Sequence, residues 1–253
     1  MAMKGKVVVI TGGAMGIGRY VATTFARAGA KVVIADIASM DQAANDLREL
    51  GAEVLTVKTD VRSEDEVAAM VARAIEQFGR IDVLLNNAGV VTHFQWGNPR
   101  WPLIKDQAKG FWDKVIDTNL NGTFLCCKHV IPHMERQGGG HIINFGQRGH
   151  ASSIGACAYG VTKAAIQKFS QYLAHEVRDH NIAVLSMSPG TAIVGEYGPE
   201  EARRKMPGPE IVGNCFVEAA ELGMEHSGKQ VTVSNGKLKI DDLETGRSET
   251  SGR

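Results

Sequence analysis

The segment Thr11-Gly12-Gly13-Ala14-Met15-Gly16-Ile17-Gly18 follows a β-branched run and leads into apolar residues at helical spacing. Glycines at a strand-to-helix turn remove side chains where backbone N–H groups and the positive end of the helix dipole face outward, so phosphate oxygens can reach the backbone. The spacing, G-x-x-x-G-x-G, also suits a tight turn with no chemical role. Asp36 supplies a second half of the pattern, ending the next β-branched run 18 positions after Gly18. A carboxylate there accepts hydrogen bonds from adenosine ribose hydroxyls and repels a 2′-phosphate. Met15 in the turn and Ile37 after Asp36 offer that phosphate no cation, so the residues select NAD(H) over NADP(H).

Tyr159 and Lys163 stand four positions apart in a stretch that reads as helical from Cys157 onward, and residues i and i+4 share a helix face. A free phenol ionises at about pH 10. An ammonium one turn away, with a positively charged nicotinamide nearby, favours phenolate and lets the phenol act as a base closer to neutrality. The same spacing is also common in exposed pairs of no consequence.

These residues need a scaffold that brings them to one place. β-Branched runs at 6–11, 31–36, 52–60, 81–87, 141–145, 182–188 and 229–233 alternate with helical spacing at 17–29, 40–50, 64–79, 107–136 and 157–180. Repeated βαβ with nearly continuous apolar strands implies an α/β, doubly wound domain of about seven mostly parallel strands with helices on both faces. Gly29, Gly51 and Gly79 mark the ends of the first three helices. No linker divides the chain, so residues 1–240 form a single domain and the polar stretch 241–253 a loose C-terminal tail.

Composition excludes several classes of function. The 253 residues carry 28 Lys+Arg against 28 Asp+Glu and are 43% hydrophobic, an ordinary globular balance without the basic excess that nucleic acids or anionic membranes attract. Apolar runs fall far short of the ~20 residues of a membrane span, and the N-terminus lacks a signal-peptide layout, so a cytoplasmic protein is expected. Cys126, Cys127, Cys157 and Cys215 form neither a C-x-x-C pair nor a cluster with histidine, which predicts free thiols and no metal.

Taken together the motifs resemble those of the short-chain dehydrogenase/reductase family. They are the glycine turn, Asp60-Val61 after the third strand, Asn86-Asn87-Ala88-Gly89 after the fourth, Asn119 within DTNLNGTF, Tyr159-Gly160-Val161-Thr162-Lys163, and Ser188-Pro189-Gly190 after the sixth. The similarity runs from Lys6 to about Val233 and implies a Rossmann-type dehydrogenase. It implies that Gly12, Met15, Gly16, Ile17, Gly18, Asp36 and Ile37 line the phosphate and ribose side, and that Asp60 and Val61 flank the adenine. Asn87, Ala88 and Gly89 would line the cofactor path, with Pro189, Gly190 and Thr191 against the nicotinamide. Tyr159 would be the acid/base in hydride transfer between NAD(H) and a small secondary alcohol or ketone. Lys163 would be its electrostatic and ribose-holding partner, and Asn119 the anchor of a relay water. The helices at 107–136 and 157–180 resemble those through which the family forms homodimers and homotetramers.

The family's serine, whose hydroxyl bonds the substrate oxygen beyond the fifth strand, is missing from His141-Ile142-Ile143-Asn144-Phe145-Gly146-Gln147-Arg148. Counting back from Tyr159 selects Gly146 as its replacement; counting forward from Asn144 selects Gln147, which strand register favours. Either Gln147 donates its amide in place of the hydroxyl, or His150, Ser152 or Ser153 folds back to do so, or the chain binds NAD(H) as a non-catalytic sensor or scaffold. Losing one such donor costs about 10²–10³ in rate, which slows an enzyme without abolishing it, so the working dehydrogenase leads. Phe94, Trp96 and Trp101, in a long insertion that also holds His93 and Arg100, either wall a substrate pocket or pack the loop. Val194 stands near the family's nicotinamide-holding threonine, for which Thr191 is the available substitute. The segment after Ile193 is short, and its PEEARRKM charges read as a solvated face.

Overall fold

The structure, a computed structural model, describes residues 2–90, 103–146, 156–191, 193–196, 198 and 200–241. Three βα pairs open the chain: β1 (Val7–Thr11) and α1 (Gly16–Arg27), β2 (Lys31–Asp36) and α2 (Asp41–Glu49), β3 (Val54–Lys58) and α3 (Glu64–Phe78). Ser63 caps α3 by accepting from the Glu66 N–H, and Gly79 ends it in the left-handed conformation. There follow β4 (Val83–Asn86), α4 (Lys109–Ile116), α5 (Gly122–Gln137), β5 (Gly140–Phe145), α6 (Cys157–Glu176) and β6 (Ile182–Ser188). The short helices α7 (Glu200–Lys205) and α8 (Cys215–Ala219) precede β7 (Gln230–Ser234) and β8 (Lys237–Asp241).

The strands form one sheet in the order β3-β2-β1-β4-β5-β6-β7-β8, parallel as the apolar runs predict except that β8 returns antiparallel to β7. Alternate strand residues bury against different helix layers. Val8, Ile10, Ile34 and Leu85 join Phe25, Leu47 and Phe216 from α1, α2 and α8. Val7, Val9, Val33 and Leu84 join Met70, Cys127 and Leu173 from α3, α5 and α6. Among the described residues no helix is long and apolar enough to cross a membrane.

Two features depart from the sequence reading. The eighth strand was not expected, and Asp241, assigned to the tail, closes it; residues 242–253 lie outside the described part. Asn235 and Gly236 both take positive φ and make a two-residue hairpin turn that pairs β8 with the edge of β7. The single helix expected over 107–136 is instead interrupted by a π-helical turn at Asp117–Asn121. Such a turn inserts a residue without changing apolar spacing enough to be read from it.

A row of polar side chains crosses the buried centre of the sheet. Asn86, Asn144, Ser186 and Gln230 are register partners on successive strands, all almost fully buried. Asn86 donates to Asn144 Oδ1 at 2.8 Å, and Asn144 Nδ2 donates to Ser170 Oγ on α6 at 2.9 Å. Apolar packing is non-directional and leaves a helix free to slide; this bond fixes where α6 sits along β5. Ser170→Ala should strand the Asn144 amide and cost about 1–3 kcal/mol in urea unfolding, with Ser170→Thr keeping most of the stability. An unchanged alanine midpoint would show that the bond does not hold α6.

Candidate active site

The strand order turns back on either side of β1 and β4, which opens a crevice at their carboxyl ends. Asn87 closes the crevice floor: its Nδ2 donates to the carbonyls of Thr11 and Gly12, each at 2.9 Å. Thr11, the first residue of the glycine turn, anchors the other side. Its hydroxyl accepts from the Asn87 and Ala88 N–H groups, each at 3.1 Å. The packing leaves no room for side chains on the turn. A Cβ on Gly18 would lie 2.1 Å from the Gly12 carbonyl oxygen and 2.6 Å from Asn87 Nδ2.

Asp36 reaches this crevice from the end of β2, where its two carboxylate oxygens accept from the Ala14 and Ala38 N–H groups at 3.0 Å each. Ile37 and Met15 beside it are exposed and uncharged. The Gly16 N–H at the start of α1 meets an anion in the structure itself, Glu196 Oε1 at 3.1 Å. This set, a helix-start amide that already holds an anion beside a carboxylate fixed at a strand end, fits a dinucleotide with its phosphates on α1 and a ribose on Asp36. Nothing in the sequence near Glu196 marked it.

Asp60 and Val61 are less open than expected. Arg62 chelates the Asp60 carboxylate, holding it below the usual carboxylate range. Val61 is buried where Gly122 allows α5 to approach. Gly89 faces Asn119 Oδ1, which would lie 3.2 Å from a Cβ on Gly89.

At the same sheet edge, Lys163 is only 7% exposed. Its Nζ donates to the Phe145 carbonyl at 2.8 Å and lies 5.4 Å from the Tyr159 ring centroid and 5.8 Å from that of Phe145. Burial draws this ammonium down to about 8. Asn119, on the π-helical turn, is fully buried. Its Oδ1 accepts from the Val90 N–H at 2.7 Å and its Nδ2 donates to Thr162 Oγ1 at 3.1 Å. Thr162 in turn donates to the Tyr159 carbonyl at 2.7 Å, so the π-helical turn, the end of β4 and the first turns of α6 are tied together. Thr162, quoted in the sequence only as a member of the Tyr159–Lys163 motif, thus bonds at both ends within the site.

Beyond β5, a Cβ on Gly146 would fall 2.2 Å from Ser186 Oγ and 3.1 Å from the Gln167 N–H nitrogen. A side chain at position 146 would have to displace the Ser186 hydroxyl. Gln147, His150, Ser152 and Ser153 lie outside the described residues, as do His93, Phe94, Trp96, Arg100 and Trp101. After β6, Gly190 takes positive φ against the Val233 carbonyl, Pro189 is half-buried, Thr191 is exposed and Val194 is buried. In α7, Arg204 pairs with Glu200 and Lys205 with Glu201, all four largely exposed, as the charge pattern predicts.

Sheet order and the turn-back between β1 and β4 are those of an open, doubly wound α/β sheet. A family model described as short chain dehydrogenase matches residues 6–197. An uncharacterised oxidoreductase of Thermotoga maritima is 35% identical over 80% of this chain and 77% of its own. The cis-4-hydroxycyclohexanecarboxylate dehydrogenase of Sinomonas cyclohexanicum is 37% identical over 82% of each. Among solved structures, a 7α-hydroxysteroid dehydrogenase complexed with NADH and 7-oxo glycochenodeoxycholic acid superposes with a TM-score of 0.79 at 27% identity, covering 92% of this chain and 94% of its own. The chain belongs to the short-chain dehydrogenase/reductase family.

The buried lysine sets a pH dependence of stability. The folded chain holds its proton less tightly than the unfolded chain, in which lysine titrates at about 10.4. Between about 8 and that value the unfolded state binds more protons, so the contribution of Lys163 to stability improves as pH rises. The unfolding free energy of wild type minus that of Lys163→Met should climb across this window by at most ~1.4 kcal/mol per pH unit; a flat difference would contradict the burial of a charged lysine.

Proposed function

We propose that the protein is an NAD(H)-dependent dehydrogenase or reductase acting on a secondary alcohol or ketone, with Tyr159 as the proton-transferring residue. The observation that carries this reading is Lys163: a buried ammonium opposite a phenol, at a ligand-binding sheet edge, is costly to fold and useful for proton transfer. A bound nicotinamide would accept or donate the hydride. For the rest, Tyr159 would take the alcohol proton or return it to the ketone oxygen, and Lys163 would favour its phenolate and hold the ribose. Asn119 would keep the edge beside Val90 and Thr162 in register for a relay water.

Gly12, Met15, Gly16, Ile17 and Gly18 would take the phosphates. Asp36, with Ile37 beside it, would take the ribose hydroxyls and refuse a 2′-phosphate, hence NAD(H). Asp60 and Val61 would flank the adenine, Asn87, Ala88 and Gly89 the path of the dinucleotide, and Pro189, Gly190 and Thr191 the nicotinamide end. The crowding at Gly146 supports Gln147 as the stand-in for the serine. Two relatives act on ring-borne hydroxyl or oxo groups by their names, which supports a cyclic secondary alcohol or its ketone as substrate. Phe124 on α5 and Val161 and Tyr172 on α6 are exposed, which supports a homodimer or homotetramer built on these helices.

The missing serine favours one other reading, an NAD(H)-binding sensor or scaffold of the same fold. Reduced-nicotinamide absorbance across a panel of cyclic alcohols, hydroxysteroids and their ketones separates the two. The dehydrogenase reading expects turnover that falls about 10²-fold or more in Tyr159→Phe, with NADH affinity little changed. NADH binding with no turnover anywhere on the panel would support the sensor.

A further inference from the structure

Helix α1 has no cap of its own, because Met15 at the N-cap position makes no side-chain hydrogen bond. Its Gly16 N–H donates instead to Glu196 Oε1 at 3.1 Å, across 180 residues of sequence. The same oxygen stands 3.7 Å from Arg19 Nη1, although Arg19 already donates to Asp46 at 2.8 Å. Glu196 is not held by burial: its side chain is 48% exposed, while Ile193 and Val194 just before it are buried. A solvated carboxylate is thus brought back from beyond β6 onto the first turn of the helix that lines the dinucleotide crevice. A helix start favours one anion, and a second negative group in the same place is repelled by the first.

We propose that Glu196 is an affinity-determining residue of the dinucleotide crevice: its carboxylate occupies the place of the diphosphate on α1 and must leave before a diphosphate can enter. The proposal rests on the dinucleotide reading above. It makes the observed affinity the intrinsic affinity multiplied by the fraction of molecules whose helix start is free. It also predicts discrimination by charge, since an adenosine lacking phosphates would use the Asp36 side of the crevice without meeting Glu196.

Wild type, Glu196→Gln and Glu196→Ala should be titrated with NADH, ADP-ribose and adenosine, following NADH by fluorescence and the others by calorimetry. Both substitutions should tighten NADH and ADP-ribose by roughly 3- to 30-fold and leave adenosine unchanged, with the gap narrowing as salt is added. Variants that bind the diphosphates no tighter than wild type would overturn the proposal. So would an adenosine affinity that rises as much as the others, because that result signals a loosened segment without charge competition. Failure of all three proteins to bind NADH and ADP-ribose, with folding intact by circular dichroism, would overturn the dinucleotide reading itself.

Discussion

A charged amine inside the fold is the constraint on which the rest of this structure depends. Lys163 loses most of its water and keeps one strong partner, the Phe145 carbonyl. An unpartnered buried ammonium is far more costly than a buried amide, so β5 and α6 have to meet at this point. Two further polar contacts serve the same end, Asn144 with Ser170 two turns along the helix and Asn119 with Thr162 beside the lysine. Three directional bonds thus set a helix whose apolar face alone would tolerate sliding. Tyr159 inherits its position from them.

The other half of the crevice is built on backbone rather than on charge. Thr11 and Asn87 satisfy the amides and carbonyls where β1 and β4 end, and the glycines let the turn close on them. What remains unsatisfied is the start of α1, and an anion is drawn to it. Glu196 shows that the place attracts negative charge even from within the chain. Ligand affinity and the resting arrangement of the segment after β6 are therefore linked through one amide.

Much of the architecture was legible because apolar period and glycine stops report burial directly. The seven expected strands correspond to β1–β7, and the motif residues gather at their carboxyl ends. β8 was missed although Asn235-Gly236 is a strong hairpin signal, because the lysines of KLKID hide a strand that is only half-buried. The π-helical turn around Asn119 was missed because one inserted residue barely disturbs helical spacing. Glu196 and Thr11 act through long-range backbone contacts, which no local pattern encodes. Local sequence carries no information on packing around Gly146: only the approach of Ser186 from the neighbouring strand shows that a side chain there would be crowded.

Ultraviolet difference titration of the phenol tests, without knowledge of the substrate, the proposal that Lys163 tunes Tyr159 for proton transfer. Subtracting Tyr159→Phe from wild type, both with saturating NAD, isolates this one tyrosine. If Lys163 has this role, Tyr159 ionises well below the ordinary phenol value of about 10 and returns toward it in Lys163→Met. A phenol that titrates at the ordinary value in the wild-type protein, with NAD bound and Lys163 in place, would contradict that role.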